Sequence, residues 1–111
     1  MTAFKYCKLE IFIPEDSLPA LEQALFQADA GHIGGYDCCL SYGPVTGCWR
    51  PLPCSRPYIG SVGEISREPE LKVEVTCMTE RVDGIIVAVK RVHPYEEPVI
   101  NAIPLYRTGM E

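Results

Sequence analysis

The chain has 111 residues, the size of one domain, with 47% hydrophobic and 23% charged residues. Its net charge is −5, and no run of Lys or Arg supplies the basic face needed to displace counterions from a nucleic acid, which disfavours that partner and an acidic membrane alike. No stretch approaches the roughly 20 apolar residues of a spanning helix, and residues 1–8 alternate apolar and charged positions without a signal-peptide core, so a cytoplasmic protein is expected.

In chain order, Cys7, Leu9, Ile11 and Ile13 alternate with Tyr6, Lys8, Glu10 and Phe12, which predicts a half-buried strand ended by Pro14. Glu15, Asp16 and Ser17 suit a helix N-terminus. Leu18, Leu21, Leu25 and Ala28 repeat at helical spacing, and Gly31 offers a left-handed stop, so a helix is expected over 17–30. After the Gly34-Gly35 turn, Tyr36, Cys38, Leu40 and Tyr42 alternate with polar or small residues and predict a second strand. Residues 43–69 hold five of the ten prolines. A connection this long is expected to contain short strands, near Gly47–Leu52 and Ser61–Ile65, forming an accessory hairpin or flap.

Leu71, Val73, Val75 and Cys77 alternate with Lys72, Glu74, Thr76 and Met78 in a further strand. Thr79 is placed to cap the next helix. There Val82, Ile85, Ile86, Val89 and Val92 form one apolar stripe. Pro94 disfavours helical geometry at His93 and ends it. Val99 to Leu105 reads as the last strand, with a frayed tail over 108–111. The order predicts one α+β domain over 1–111: a ferredoxin-like split β-α-β fold (β-α-β-β-α-β) with an insertion at about 43–69. Both helices would cover one sheet face. The other face, with Tyr6, Phe12 and Met78 among charges, is expected to meet other copies of the chain.

Four segments in this order resemble one family. They are Phe12-Ile13-Pro14-Glu15, Gly31-His32-Ile33-Gly34-Gly35-Tyr36, the stretch Thr46-Gly47-Cys48-Trp49-Arg50-Pro51-Leu52 leading to Pro57-Tyr58-Ile59-Gly60, and His93-Pro94-Tyr95-Glu96-Glu97-Pro98. Over roughly residues 4–106 they look like the YqfO-type module of the Nif-three-like, dinuclear-metal-centre hexameric family. In long members this module is inserted within the metal-binding domain. The resemblance implies a fold similar to CutA and the PII signalling proteins, trimers formed through the sheets, and a regulatory or interaction role. The family's dinuclear site uses several histidines of the flanking domain. This chain has only His32 and His93, so neither that site nor a cyclohydrolase activity is implied.

Three constellations could carry chemistry. His93, Glu96 and Glu97 offer imidazole and carboxylate groups that a divalent metal accepts. Neighbours in an extended segment diverge, so such a site would need a ligand from another segment or subunit. A structural reading makes His93 a helix-end residue and packs Tyr95 on the sheet. Trp49, Arg50, Arg56 and Tyr58 place guanidinium groups near aromatic rings, which suits an anionic or nucleotide-like ligand. Alternatively the rings pin the flap to the body. The six cysteines contain no C-x-x-C and read as reduced thiols, with Cys48 and Cys54 able to approach each other. His32 reads as a surface or cap residue. Glu64, Glu68 and Glu70 read as solvated charge.

The functional expectation is a homo-oligomeric, trimeric regulatory module binding a small ligand or metal at subunit clefts. A metal-dependent, hydrolase-like enzyme with its site at 93–97 completed across an interface is the second reading. A structural protein-interaction module is the third.

Overall fold

A computed structural model describes residues 4–111; residues 1–3, where the amino-terminal reading begins, lie outside the described residues. Strand β1 (Tyr6–Ile13) buries Cys7, Leu9, Ile11 and Ile13, as its period of two requires. A 3-10 turn (Glu15–Ser17) leads into α1 (Leu18–Gln27). Pro19 sits in the first turn, where a missing N–H breaks no helical bond. Ser17 makes no side-chain cap.

The helix stops three residues before the expected end, and Asp29, not Gly31, supplies the left-handed residue, with φ 58°. The Ala30 N–H donates to the Leu25 carbonyl at 2.9 Å and the Asp29 N–H to that of Phe26 at 3.1 Å, which is the Schellman closure. Gly31 (φ 83°) does something else. Its N–H donates to the Thr76 carbonyl at 2.8 Å, and its own carbonyl accepts from the Cys39 N–H at 3.0 Å. It thereby ties the connection after α1 to the sheet.

Strand β2 (Ser41–Trp49) is displaced from the predicted 36–42. Ile33 and Tyr36 bridge each other around the two glycines, and Cys38 has φ 56°, a left-handed backbone that cannot continue a strand. Strand β3 (Ser66–Met78) starts before the predicted Leu71. The extension at 43–69 is therefore the outer part of one long β2–β3 hairpin, joined by the irregular loop 50–65. No strand forms over 61–65. A 3-10 turn (Thr79–Arg81) precedes α2 (Val82–Val92), which buries Ile85 and Val89. Thr79 does not cap it; its hydroxyl donates to the Phe4 carbonyl at 2.9 Å. Pro94 acts as predicted, with His93 extended at ψ 128°. Strand β4 (Ile100–Leu105) completes the chain's regular elements.

All pairings are antiparallel, in the order β2-β3-β1-β4. This is the ferredoxin-like α+β arrangement. One face of β1 and β3 forms the core with Leu21 and Leu25 of α1 and Ile85 and Val89 of α2. Each such aliphatic side chain, fully removed from water, contributes about 1.5–3 kcal/mol. On the other face Lys8 meets Glu74 at 2.6 Å and Lys72 meets Glu10 at 3.3 Å across strands. At one end of the sheet Tyr6 pairs with Met78 on one side and Leu105 on the other.

At the other end β1 stops. Its last pair is Ile13 with Leu71, while β2 and β3 run on from Val45–Glu70 to Trp49–Ser66. The projecting hairpin explains a radius of gyration of 15.1 Å, against about 13 Å for a compact domain of 100 residues. No helix among the described residues is long and apolar enough to cross a membrane.

Candidate functional site

The cleft lies where β1 ends. Phe12 and Glu70 share the sheet face opposite the helices, because each is in register with the even-numbered positions of its strand. Beyond Ile13 no strand covers that part of β3. The segment after α2 fills the place. Pro94 turns the chain out of the helix, and Tyr95 reaches past the end of β1 to Glu70. The loop 50–65 folds back over the same spot. Trp49 Nε1 donates to the Ile59 carbonyl at 3.1 Å, the Gly63 N–H to that of Pro51 at 2.9 Å, and the Arg56 N–H to Glu96 Oε2 at 3.0 Å. Together these walls border a half-open cleft of about 230 Å³.

Tyr95 is the hub. Its ring centroid lies 5.7 Å from that of Trp49, 6.0 Å from Tyr58 and 5.1 Å from His93, all tilted. These are the separations at which aromatic pairs attract. Its hydroxyl donates to Glu70 Oε2 at 2.7 Å. Burial first, then the Glu70 carboxylate, push the phenol far above its ordinary range, so it remains a donor. Glu70 is only 6% exposed. It folds across Gly47 so closely that a Cβ there would overlap its carboxylate. Glycine at 47 is thus a requirement of the Glu70 position.

His93 holds the base. Its Nε2 lies 2.7 Å from the Phe12 carbonyl, and its Nδ1 accepts from the Tyr95 N–H at 3.2 Å. One ring nitrogen donates and the other accepts, which defines the neutral Nε2–H tautomer. Burial accordingly lowers its pKa, opposed only in part by the Phe12 hydrogen bond and the Glu70 charge. A folded value below the unfolded one means that stability is fully present above the unfolded pKa of about 6.5 and is lost as pH falls through the folded pKa. The thermal midpoint of the wild type should drop as pH falls below about 6.5, more steeply than that of His93→Gln. Parallel profiles for the two proteins would contradict this assignment.

The structure brings part of the two predicted sets together. Trp49 and Tyr58 line the cleft with Glu96 and Glu97; Arg50 and Arg56 do not line it. Arg56 contributes its backbone N–H. The three expected metal ligands do not converge: both His93 nitrogens are engaged, Glu96 is held by Arg56, and no group of three or more His, Cys, Asp or Glu able to hold a metal ion occurs among the described residues. Glu70, expected in solvent, is buried at the cleft. Phe12, Glu70 and Tyr95 were not singled out for this site. Glu70 could have been suspected from its place on the strand beside Gly47.

Elsewhere, His32 pairs with Asp29 at 3.1 Å on the surface. All six cysteines are free. Cys7 and Cys77 face each other in the core, where burial foremost pushes the Cys77 thiol up to about 11.

No family model matches the chain. Over 102 residues, 92% of its length, it is 34% identical to a protein named GTP cyclohydrolase 1 type 2 homolog from Halalkalibacterium halodurans, of which it covers 27%. The chain spans little more than a quarter of the curated relatives it matches. The crystal structure of a Bacillus cereus protein related to NIF3 matches 99% of this chain and 28% of that one, with a TM-score of 0.83 and 28% identity. The periplasmic divalent cation tolerance protein CutA from Archaeoglobus fulgidus matches with a TM-score of 0.70 at 20% identity, over 93% of this chain and 86% of that one. At that identity the likeness is one of fold. The resemblance to the YqfO-type segment of NIF3-like proteins, and to the CutA fold, is borne out over nearly the whole chain.

Proposed function

We propose that the chain, kin to the YqfO/NIF3-type segment, is a homo-oligomeric binding module that takes a small ligand into the cleft around Tyr95 and catalyses no reaction. The observation that carries this reading is the convergence of two distant segments, 49–59 and 95–97, on one half-open aromatic cleft. Concave, mostly apolar sites with a few fixed polar groups are where small molecules bind. The cleft's carboxylates are held by hydrogen bonds or lie at the rim, and the one hydroxyl in contact with a carboxylate, that of Tyr95 on Glu70, has its pKa pushed up and stays protonated as a hydrogen-bond donor. Among the described residues no ligand set converges for a metal-dependent reaction.

Self-association is supported by the open sheet face. Its lysines and glutamates are already paired with one another, which lowers the cost of covering them. The proposed assembly is a trimer, the state that the resemblance implies, and unpaired thiols fit a reducing cytoplasm. Light scattering should give three times the chain's 12.4 kDa; a monomer at micromolar concentration would count against the assembly. Trp49, the single tryptophan, reports on the cleft. Screening small molecules by its fluorescence should yield saturable changes that Tyr58→Ala weakens. A screen spanning cations, anions and neutral aromatics with no saturable hit would remove the site.

A further inference from the structure

The chemistry of the cleft selects a charge type. Its charged lining is Glu70, Glu96 and Glu97, and no Lys, Arg or His lines it. The rest is chiefly aromatic and apolar, with Phe12, Trp49, Tyr58 and Tyr95 prominent. Aromatic faces carry the negative side of the ring quadrupole and attract cations. Glu70 sharpens the point. It is 6% exposed and takes one hydrogen bond, from Tyr95, yet no ion pair to it occurs among the described residues. A buried carboxylate normally has a cationic partner, because desolvation of the charge is otherwise uncompensated.

We propose that the cleft binds an organic monocation, a guanidinium or alkylammonium group, with Glu70 as its counter-ion and the aromatic rings around it. This rests on the reading of the cleft as a ligand site. The sequence alone, through Arg50 and Arg56, pointed to an anion; three lining carboxylates and no lining cation reverse that. The volume agrees. About 230 Å³ lies below the range of roughly 300–1,000 Å³ typical for drug-sized ligands, and suits one headgroup on a short alkyl stem. A bare divalent ion does not fit, because its oxygen donors must converge and no such group is gathered among the described residues.

The test is a Trp49 fluorescence titration with n-butylguanidinium, n-butylammonium, neutral n-butylurea and butyrate at matched ionic strength. Either cation should give a saturable change, while urea and butyrate give none. Glu70→Gln keeps an acceptor for the Tyr95 hydroxyl and removes the charge, and should weaken cation binding roughly tenfold or more. Glu97→Gln at the exposed rim should weaken it only about two- to threefold. A circular dichroism melt of each variant separates lost binding from lost folding. Equal binding of urea and guanidinium, preference for butyrate, or a folded Glu70→Gln variant with unchanged cation affinity would overturn the proposal. Binding of neutral aromatics without cations would overturn it while leaving the cleft a ligand site; no binding by anything would remove both. N-acetyl-arginine amide binding more tightly than butylguanidinium would assign the cation to a partner chain's side chain. The reverse order would assign it to a free metabolite.

Discussion

Gly31→Ala is expected to destabilise the protein by about 3 kcal/mol, a drop in thermal midpoint on the order of 15 °C. Two costs combine. At φ 83° an alanine meets the left-handed penalty of roughly 1–2 kcal/mol. Its Cβ would also overlap the Cys39 backbone, which cannot rotate aside as a flexible side chain can. Relief requires moving Cys39 away. That breaks the hydrogen bond from the Cys39 N–H to the Gly31 carbonyl and loosens the link from the Gly31 N–H to Thr76 on β3. Gly34 is the internal control. It too has positive φ, 57°, but nothing lies within 4 Å of a Cβ there, so Gly34→Ala should cost only the backbone strain. Equal midpoints for the two variants would show that the close approach to Cys39 has no energetic weight.

Tyr95→Phe should cost roughly 1–3 kcal/mol, because it strands the buried Glu70 carboxylate without its donor. The ring packing against Trp49 and Tyr58 survives this change, so the loss isolates the hydroxyl. The bond of 2.7 Å to Glu70 is of the charge-assisted kind, stronger than a neutral pair. Adding Glu70→Met to Tyr95→Phe should restore part of the stability, since removing both partners leaves no orphaned group. Urea unfolding of the four proteins closes a double-mutant cycle. A coupling near zero would mean that Glu70 finds water instead, and would weaken its assignment as the cleft's fixed charge.

The fold was legible where burial imposes a period. β1, the inner part of β3 and the stripe of α2 are specified residue by residue, because each must turn one face to a shared core. The resemblance of the four ordered segments supplied the same architecture independently. The errors lie where backbone geometry, not periodicity, decides. Asp29 took the left-handed stop that glycine usually takes, and Cys38 adopted φ 56° inside an alternating run that looked like a strand. Neither event leaves a hydropathy signal. The cleft was half legible for a related reason. Trp49, Tyr58, Glu96 and Glu97 could be flagged as residue types, but only the premature end of β1 places them together. Glu70 was missed because a glutamate in an acidic stretch reads as solvated. The side-chain space above Gly47 that receives it is a tertiary fact. Arg50 and Arg56 misled in the opposite sense, since a basic residue next to a site can offer it only its backbone.

The pairing of Tyr6 with Leu105 across adjacent strands has a topological consequence. The entry to the first strand and the exit from the last stand side by side, separated by little more than one strand spacing, about 5 Å. A host domain could open one surface loop and receive this unit between the two cut ends with scarcely any change in their separation. The host's loop-closure entropy would then be almost independent of the guest's length, because the guest spans its own ends rigidly. Such a unit is geometrically suited to insertion, and the cleft lies at the opposite end of the sheet from the junction.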